Sequence, residues 1–180
     1  MEFLEKYRIP FVVHVHGYDI TTSLNDNAYY EQLKILFKKA KAFIAASEYM
    51  KTRLILLGCE ESKIHVIRLG VNHLGINPLS WEERKRSPPS IIFLGRLTEK
   101  KNPIALIHAF YLVRNEVPDA TLSIIGDGPL RKEVEETIAS LCLSHAVKLF
   151  GALDRKKSFP LLNKHWIYAQ HSVTSITGDT

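Results

Sequence analysis

The stretch Ile91-Ile92-Phe93-Leu94-Gly95-Arg96-Leu97-Thr98-Glu99-Lys100-Lys101-Asn102-Pro103 decides how this chain is read. Four apolar residues followed by Gly95 and Arg96 predict a buried strand that ends on a cation. Asn102 is suited to cap a helix. Pro103 is suited to open it, because its fixed φ fits the first helical position and its missing N–H is not needed there. A strand that feeds a helix N-terminus through a short basic loop gathers free amides and the positive end of the helix dipole at one spot. Arg96 and Lys101 add two positive side chains, the first able to grip two phosphate oxygens at once and the second a mobile point charge. The stretch therefore points to a phosphate or diphosphate. The alternative for both side chains is that of ordinary solvated residues at a strand end.

The same alternation extends in both directions. Downstream, a helix over 103–116 stops at Pro118-Asp119, and strand 120–125 runs through Gly126-Asp127-Gly128-Pro129 into a helix with Leu130, Val134, Ile138 and Leu141 in register. Strand 146–150 ends at Gly151, a charged helix follows to Lys164, and 166–170 offers one more strand. Upstream, 11–16 is a β-branched strand ended by Gly17, 29–41 is a helix with Tyr30, Leu33, Phe37 and Ala40 on one face, and 42–46 is an apolar strand. Ser47 is placed to cap the next helix and Gly58 to end it, and 63–69 gives a further strand. Residues 1–8 suggest a short amphipathic helix. Strands that are apolar throughout rather than alternating predict parallel sheets covered on both faces. Residues 73–90 change character, with turn residues, a charged run over 82–86 and Pro88-Pro89, and read as a linker between two such units.

Length and composition set the bounds. The chain has 180 residues, 46% of them hydrophobic and 24% charged, ordinary values for a globular protein. A formal charge of +5 suits anionic ligands or an anionic surface. Cys59 and Cys142 have neither metal spacing nor the number for a disulfide framework, which predicts a reducing compartment. No apolar run approaches the roughly 20 residues of a membrane span, so a cytoplasmic location is expected. Lys34, Lys38, Lys39 and Lys41 form a cationic helix face, a candidate peripheral contact with the inner membrane or simply a solvated face. No basic patch interleaved with aromatics argues for nucleic acid.

Two further constellations carry chemistry. Gly126-x-Gly128 follows a strand and opens a helix, as in dinucleotide folds. However, Arg131 occupies the place of the third glycine, and no acid follows the next strand to hold a ribose, which argues against NAD. The turn either lets backbone amides approach a ligand or is purely structural. His14 and His16, two apart on a strand, face the same side and could begin a metal site. No downstream cluster with ligand spacing completes it. His16 sits at the strand's C-terminal end, where open α/β sheets bind ligands, and His14 reads as a core residue.

Taken together, the pieces resemble the retaining GT-B glycosyltransferases of family four (glycosyl transferases group one). The resemblance rests on His16-Gly17-Tyr18-Asp19, Ala46-Ser47, and Lys63-Ile64-His65-Val66-Ile67 through Gly70-Val71-Asn72. It continues through Gly95-Arg96-Leu97 with Lys101, Gly126-Asp127-Gly128-Pro129-Leu130, and Phe150-Gly151-Ala152-Leu153. The flavour is that of bacterial exopolysaccharide or lipopolysaccharide enzymes. The resemblance implies parts of two Rossmann-like domains: 1–72 on the acceptor side, 73–90 the linker, and 91–180 the nucleotide-sugar side. It implies hexosyl-type transfer from a nucleotide-sugar to a saccharide or lipid-linked acceptor, with no metal and no cofactor. Arg96 and Lys101 match cations that bind the donor diphosphate and stabilise the leaving group. His16 matches a histidine approaching the transferred sugar, with Gly17 and Asp19 beside it on the acceptor side. Gly95, Gly126, Asp127, Gly128, Pro129, Gly151 and Leu153 match loops lining the donor pocket. Two departures stand out: family members begin with a strand and glycine-rich loop, and continue past the equivalent of Thr180 into a paired-glutamate motif. The expectation is a fragment truncated at both ends and inactive alone. A non-catalytic nucleotide-binding module is the rival reading, and a metal hydrolase using His14 and His16 a distant third.

Overall fold

The computed structural model describes residues 7, 9–70 and 77–174. These divide into two compact units, one within residues 1–74 and one within 75–175. Apart from Tyr7, the expected helix over 1–8 lies outside the described residues, as does the motif Val71-Asn72.

In the first unit, β1 (Val12–Val15), β2 (Ala42–Ala45) and β3 (Ile64–Val66) form a parallel sheet in the order β1-β2-β3. Helix α1 (Asn27–Lys39) joins β1 to β2, and α2 (Glu48–Leu56) joins β2 to β3. Parallel neighbours need such crossovers, and right-handed ones in this strand order put both helices on one face. The core agrees: Leu33 and Phe37 from α1 and Leu54 from α2 are buried with Val15, Phe43, Ala45 and Ile64. Asp26 caps α1 by accepting from Ala28 N–H at 2.8 Å, and Ser47 caps α2 by accepting from Met50 N–H at 3.2 Å. At the far end of α1, Lys63 Nζ donates to the carbonyls of Phe37 and Lys38, satisfying acceptors that the helix leaves open.

The opposite face of this sheet carries His14, Ile44 and His65, which are register partners across the three strands. His14 is exposed there, contrary to its reading as a core residue. Period-two alternation assigns a residue to a face, but whether that face is covered is decided by the crossover helices, and α1 and α2 lie on the other side.

In the second unit, α3 (Trp81–Arg84) precedes β4 (Ser90–Leu94), α4 (Pro103–Glu116), β5 (Thr121–Ile125), α5 (Arg131–Ser140), β6 (Val147–Gly151), α6 (Arg155–Lys164) and β7 (Ile167–Tyr168). All pairings are parallel, in the order β6-β5-β4-β7. The chain therefore steps outward from β4 to β6 and returns to the other side of β4, which reverses the strand order beside β4. Leu122 and Ile124 face a core with Ile107 and Phe110 of α4 and Val134 and Ile138 of α5. Ser123, on the alternate face, meets His165 just after α6, with Oγ 2.9 Å from the ring Nε2. Helices thus cover both faces, as continuous apolar strands demand.

Residues 77–90, within the stretch read as a linker, pack on this second unit. Ser80 and Glu83 form a reciprocal capping box around α3. Leu79 N–H donates to Asn163 Oδ1 at 2.9 Å, Trp166 Nε1–H donates to the Arg84 carbonyl at 2.9 Å, and the Trp81 and Trp166 rings meet edge to face. Among the described residues no helix is long and apolar enough to cross a membrane.

Candidate functional site

The C-terminal ends of β4, β5 and β6 converge, and main-chain hydrogen bonds tie their loops together. Gly95 N–H donates to the Ile125 carbonyl at 3.0 Å, Leu97 N–H to Asp127 at 3.0 Å, Leu130 N–H to Leu97 at 3.0 Å and Gly126 N–H to Gly151 at 2.8 Å. Such close approach explains two glycines. Gly126 has φ +144°, and a Cβ there would lie 1.8 Å from the Gly95 carbonyl oxygen. A Cβ on Gly128 would lie 2.5 Å from the Leu97 carbonyl oxygen. Both positions exclude any side chain. The Gly126 amide is thus spent on Gly151 and the Gly128 amide on Asp127 Oδ1, so these two amides already have partners within the protein.

Between the tied loops lies a cleft of about 200 Å³ lined by Leu94, Gly95, Arg96, Ile125, Gly126, Asp127, Ala152 and Leu153. It occupies the carboxyl end of a parallel sheet beside the reversal of strand order, where open α/β folds bind ligands. Leu94, Ile125 and Leu153 make its walls largely apolar, and Arg96 and Asp127 bring the charges.

Arg96 is exposed, and its guanidinium has no hydrogen bond or ion pair among the described residues. Asp127 is engaged. It accepts from its neighbour Gly128 N–H at 2.8 Å and from Arg131 Nη1 at 2.9 Å, and these bonds hold its carboxyl below the usual range, Gly128 more than Arg131. Arg131 also donates through Nε to Glu135 at 3.0 Å. Lys101 does not line the cleft: its Nζ donates to Ser172 Oγ at 3.1 Å, while Val173 N–H donates to the Lys100 carbonyl at 2.9 Å. The segment after β7 is thereby laid along the 99–101 turn.

Of the residues singled out from sequence in this unit, the cleft brings together Gly95, Arg96, Gly126, Asp127 and Leu153. Gly128, Pro129 and Gly151 belong to the supporting turns. Sequence reasoning noticed Arg131 only as a missing glycine. Its spacing of four from both Asp127 and Glu135, at the start of a helix, was the available signal.

In the first unit, His16 follows β1 and is exposed, with its ring centroid 4.2 Å from that of His14. Asp19 Oδ2 accepts from His16 N–H at 2.6 Å, and Gly17 between them has φ +103°, a left-handed turn that glycine adopts freely. Asp19 thus fixes the turn that presents His16. Burial, with the Asp19 charge second, pushes the nearby Tyr29 phenol up. Among the described residues no three His, Cys, Asp or Glu side chains are grouped to hold a metal ion.

Comparison with known proteins places this geometry. Residues 77–175 match the family described as Glycosyl transferases group 1, and residues 2–73 match Glycosyltransferase Family 4. The chain is 28% identical over 164 residues to the amylovoran biosynthesis glycosyltransferase AmsK of Erwinia amylovora, covering 91% of this chain and 40% of that protein. It is 27% identical over 164 residues to the putative colanic acid biosynthesis glycosyltransferase WcaL of Escherichia coli (strain K12), again covering 91% and 40%. The chain therefore spans about two fifths of the curated relatives it matches. Among solved structures, Anabaena Alr3699/HepE in complex with UDP superposes with a TM-score of 0.79 at 21% identity, over 96% of this chain and 49% of that one. Two parallel α/β units, a cleft at the strand ends of the second and a family match over more than half of the chain lead to one conclusion: this chain belongs to the glycosyl transferases group 1 family and has its GT-B fold.

Proposed function

We propose that this chain serves a glycosyltransferase that moves a sugar from a nucleotide-sugar to a saccharide or lipid-linked acceptor in surface polysaccharide biosynthesis. The observation that carries the reading is Arg96, a cation without a protein partner among the described residues, at a glycine-lined cleft on the carboxyl ends of a parallel sheet. The names of AmsK and WcaL support the polysaccharide setting, and the UDP in HepE supports a nucleotide donor.

In this reading the diphosphate lies in the cleft and Arg96 bonds its oxygens. As the bond from the anomeric carbon to the diphosphate oxygen breaks, negative charge grows on that oxygen. A preorganised guanidinium stabilises that charge more than it stabilises the ground state, and this difference is what lowers the barrier. Lys101, now on Ser172, is the second cation; its flexible stem lets Nζ exchange a hydroxyl for a phosphate. His16, Gly17 and Asp19 lie on the acceptor side, and configuration at the anomeric carbon is retained. No metal or cofactor is required, since the two cations supply the charge.

Titrating UDP, GDP and ADP into the purified chain by calorimetry tests this. Saturable binding of at least one, weakened tenfold or more by Arg96→Ala, is expected. Absence of binding to all three overturns the reading.

A further inference from the structure

The cleft carries one acid and one base on its lining, Asp127 and Arg96, and a bare carboxylate is a poor wall for a site that receives a diphosphate. The carboxylate is not bare. Arg131 Nη1 lies 2.9 Å from Asp127 Oδ2, its Nε 3.0 Å from Glu135, and a Cβ built on Gly151 would be 3.6 Å from Nη1. Arg131 therefore stands where the β5 and β6 loops meet, clamped between two carboxylates and passing beneath a glycine. The Gly128 N–H satisfies a second acceptor site of Asp127 and draws its charge toward the backbone.

We propose that Arg131 is a positioning residue that masks the Asp127 charge, so that the cleft presents Arg96 as its one uncompensated charge and admits an anionic ligand. The proposal rests on the nucleoside diphosphate reading of the cleft. Arg131 need not touch the ligand. Its work is done through Asp127, and Glu135 holds the guanidinium in place by occupying the edge that Asp127 leaves. The arrangement accounts for an arginine where a dinucleotide fold would have its third glycine: the helix start here is used to cancel a charge rather than to bring helix and strand closer.

Asp127 and Arg131 are exposed by 49% and 42%, so the pair itself adds little to folding. Its effect is expected in binding instead, because an uncompensated carboxylate near a diphosphate costs affinity at the separations found within one cleft. UDP and uridine are the probes, titrated into the purified chain and its variants at fixed ionic strength, with circular dichroism confirming the fold. Arg131→Ala is expected to weaken UDP binding by about three- to tenfold. The double variant Asp127→Asn with Arg131→Ala is expected to recover most of that loss, since asparagine keeps an acceptor for Gly128 N–H without the charge. Asp127→Asn alone is expected to tighten UDP binding, since it leaves the Arg131 charge beside the cleft without its Asp127 partner. Uridine, which has no phosphate, is expected to respond to none of the three.

If the wild-type chain binds UDP but Arg131→Ala binds it equally well, the proposal is overturned while the nucleotide reading stands. It is equally overturned if the double variant is no better than Arg131→Ala, which would make Arg131 a structural support, or if Asp127→Asn alone weakens UDP, which would put the carboxylate in direct contact with the nucleotide. Failure of the wild type to bind UDP overturns the nucleotide reading and this proposal with it.

Discussion

The Gly126 α-carbon approaches the Gly95 carbonyl oxygen so closely that a Cβ would sit 1.8 Å from it, and Gly126 has φ +144°, a conformation that L side chains rarely adopt. Two independent penalties therefore meet at one residue: overpacking against main chain that cannot move aside, and backbone strain. Gly126→Ala is expected to destabilise the second unit by about 3 kcal/mol or more. Thermal unfolding followed by circular dichroism would show a midpoint lower by roughly 10 °C or more. A variant melting with the wild type would mean that the loops do not touch as described.

Asn102 makes a sharper test, because two substitutions should separate. It caps α4 through Oδ1, which accepts from Ala105 N–H, and it does so at φ +44°. Alanine loses the cap and suffers in the left-handed region, whereas glycine loses only the side-chain bond. Asn102→Ala is expected to cost about 1–2 kcal/mol and Asn102→Gly only a few tenths, from denaturant midpoints. The reverse order would refute the cap.

Arg96 lacks a protein partner among the described residues, so its removal separates function from folding. Arg96→Ala is expected to shift stability by less than about 0.5 kcal/mol, as surface changes without contacts do. UDP affinity is expected to fall tenfold or more in the same variant. A large drop in the denaturation midpoint would reveal a structural role and undo the assignment.

Acid sensitivity follows from the depressed carboxylates. Asp127 is lowered by the Gly128 N–H and then Arg131, Glu83 by the Ser80 hydroxyl and amide, and Glu61 by Lys51. Each binds a proton more readily in the unfolded chain than in the folded one. Their stabilising effect is fully present above the ordinary carboxylate pKa of about 4 and is lost as the pH falls through the lower folded values. Asp127→Asn is therefore expected to lose less stability than the wild type as the pH falls below about 4. Urea midpoints measured at several acidic pH values would check this, and parallel pH profiles would count against it.

Much of this was legible locally. Helix 103–116 emerges with the predicted bounds because its start and stop signals, Asn102-Pro103 and Pro118, are all in sequence. Ser47 and Gly58 take their expected places for the same reason. What escaped depends on distant partners. The turn residues, charged run and Pro88-Pro89 of 73–90 read as a linker, and nothing local announces that Trp81 and Arg84 within it find Trp166 and His165 more than eighty residues away. Lys101 was expected at the cleft beside Arg96, but Ser172 lies seventy-one residues on and holds its ammonium. The sequence left open whether the Gly126 turn served a ligand or the fold. The geometry shows the Gly126 and Gly128 amides committed to the protein, while the turn's position still shapes the cleft.

The ties among the strand-end loops run through backbone atoms: Gly95 to Ile125, Leu97 to Asp127, Leu130 to Leu97 and Gly126 to Gly151. None of the side chains at positions 96, 127, 152 and 153 participates in those ties. At positions 96, 152 and 153, though not at Gly126 or Asp127, the lining can accordingly be rewritten by single substitutions without loosening its frame, so that descendants of one scaffold can diverge in what they accept while inheriting the same mould.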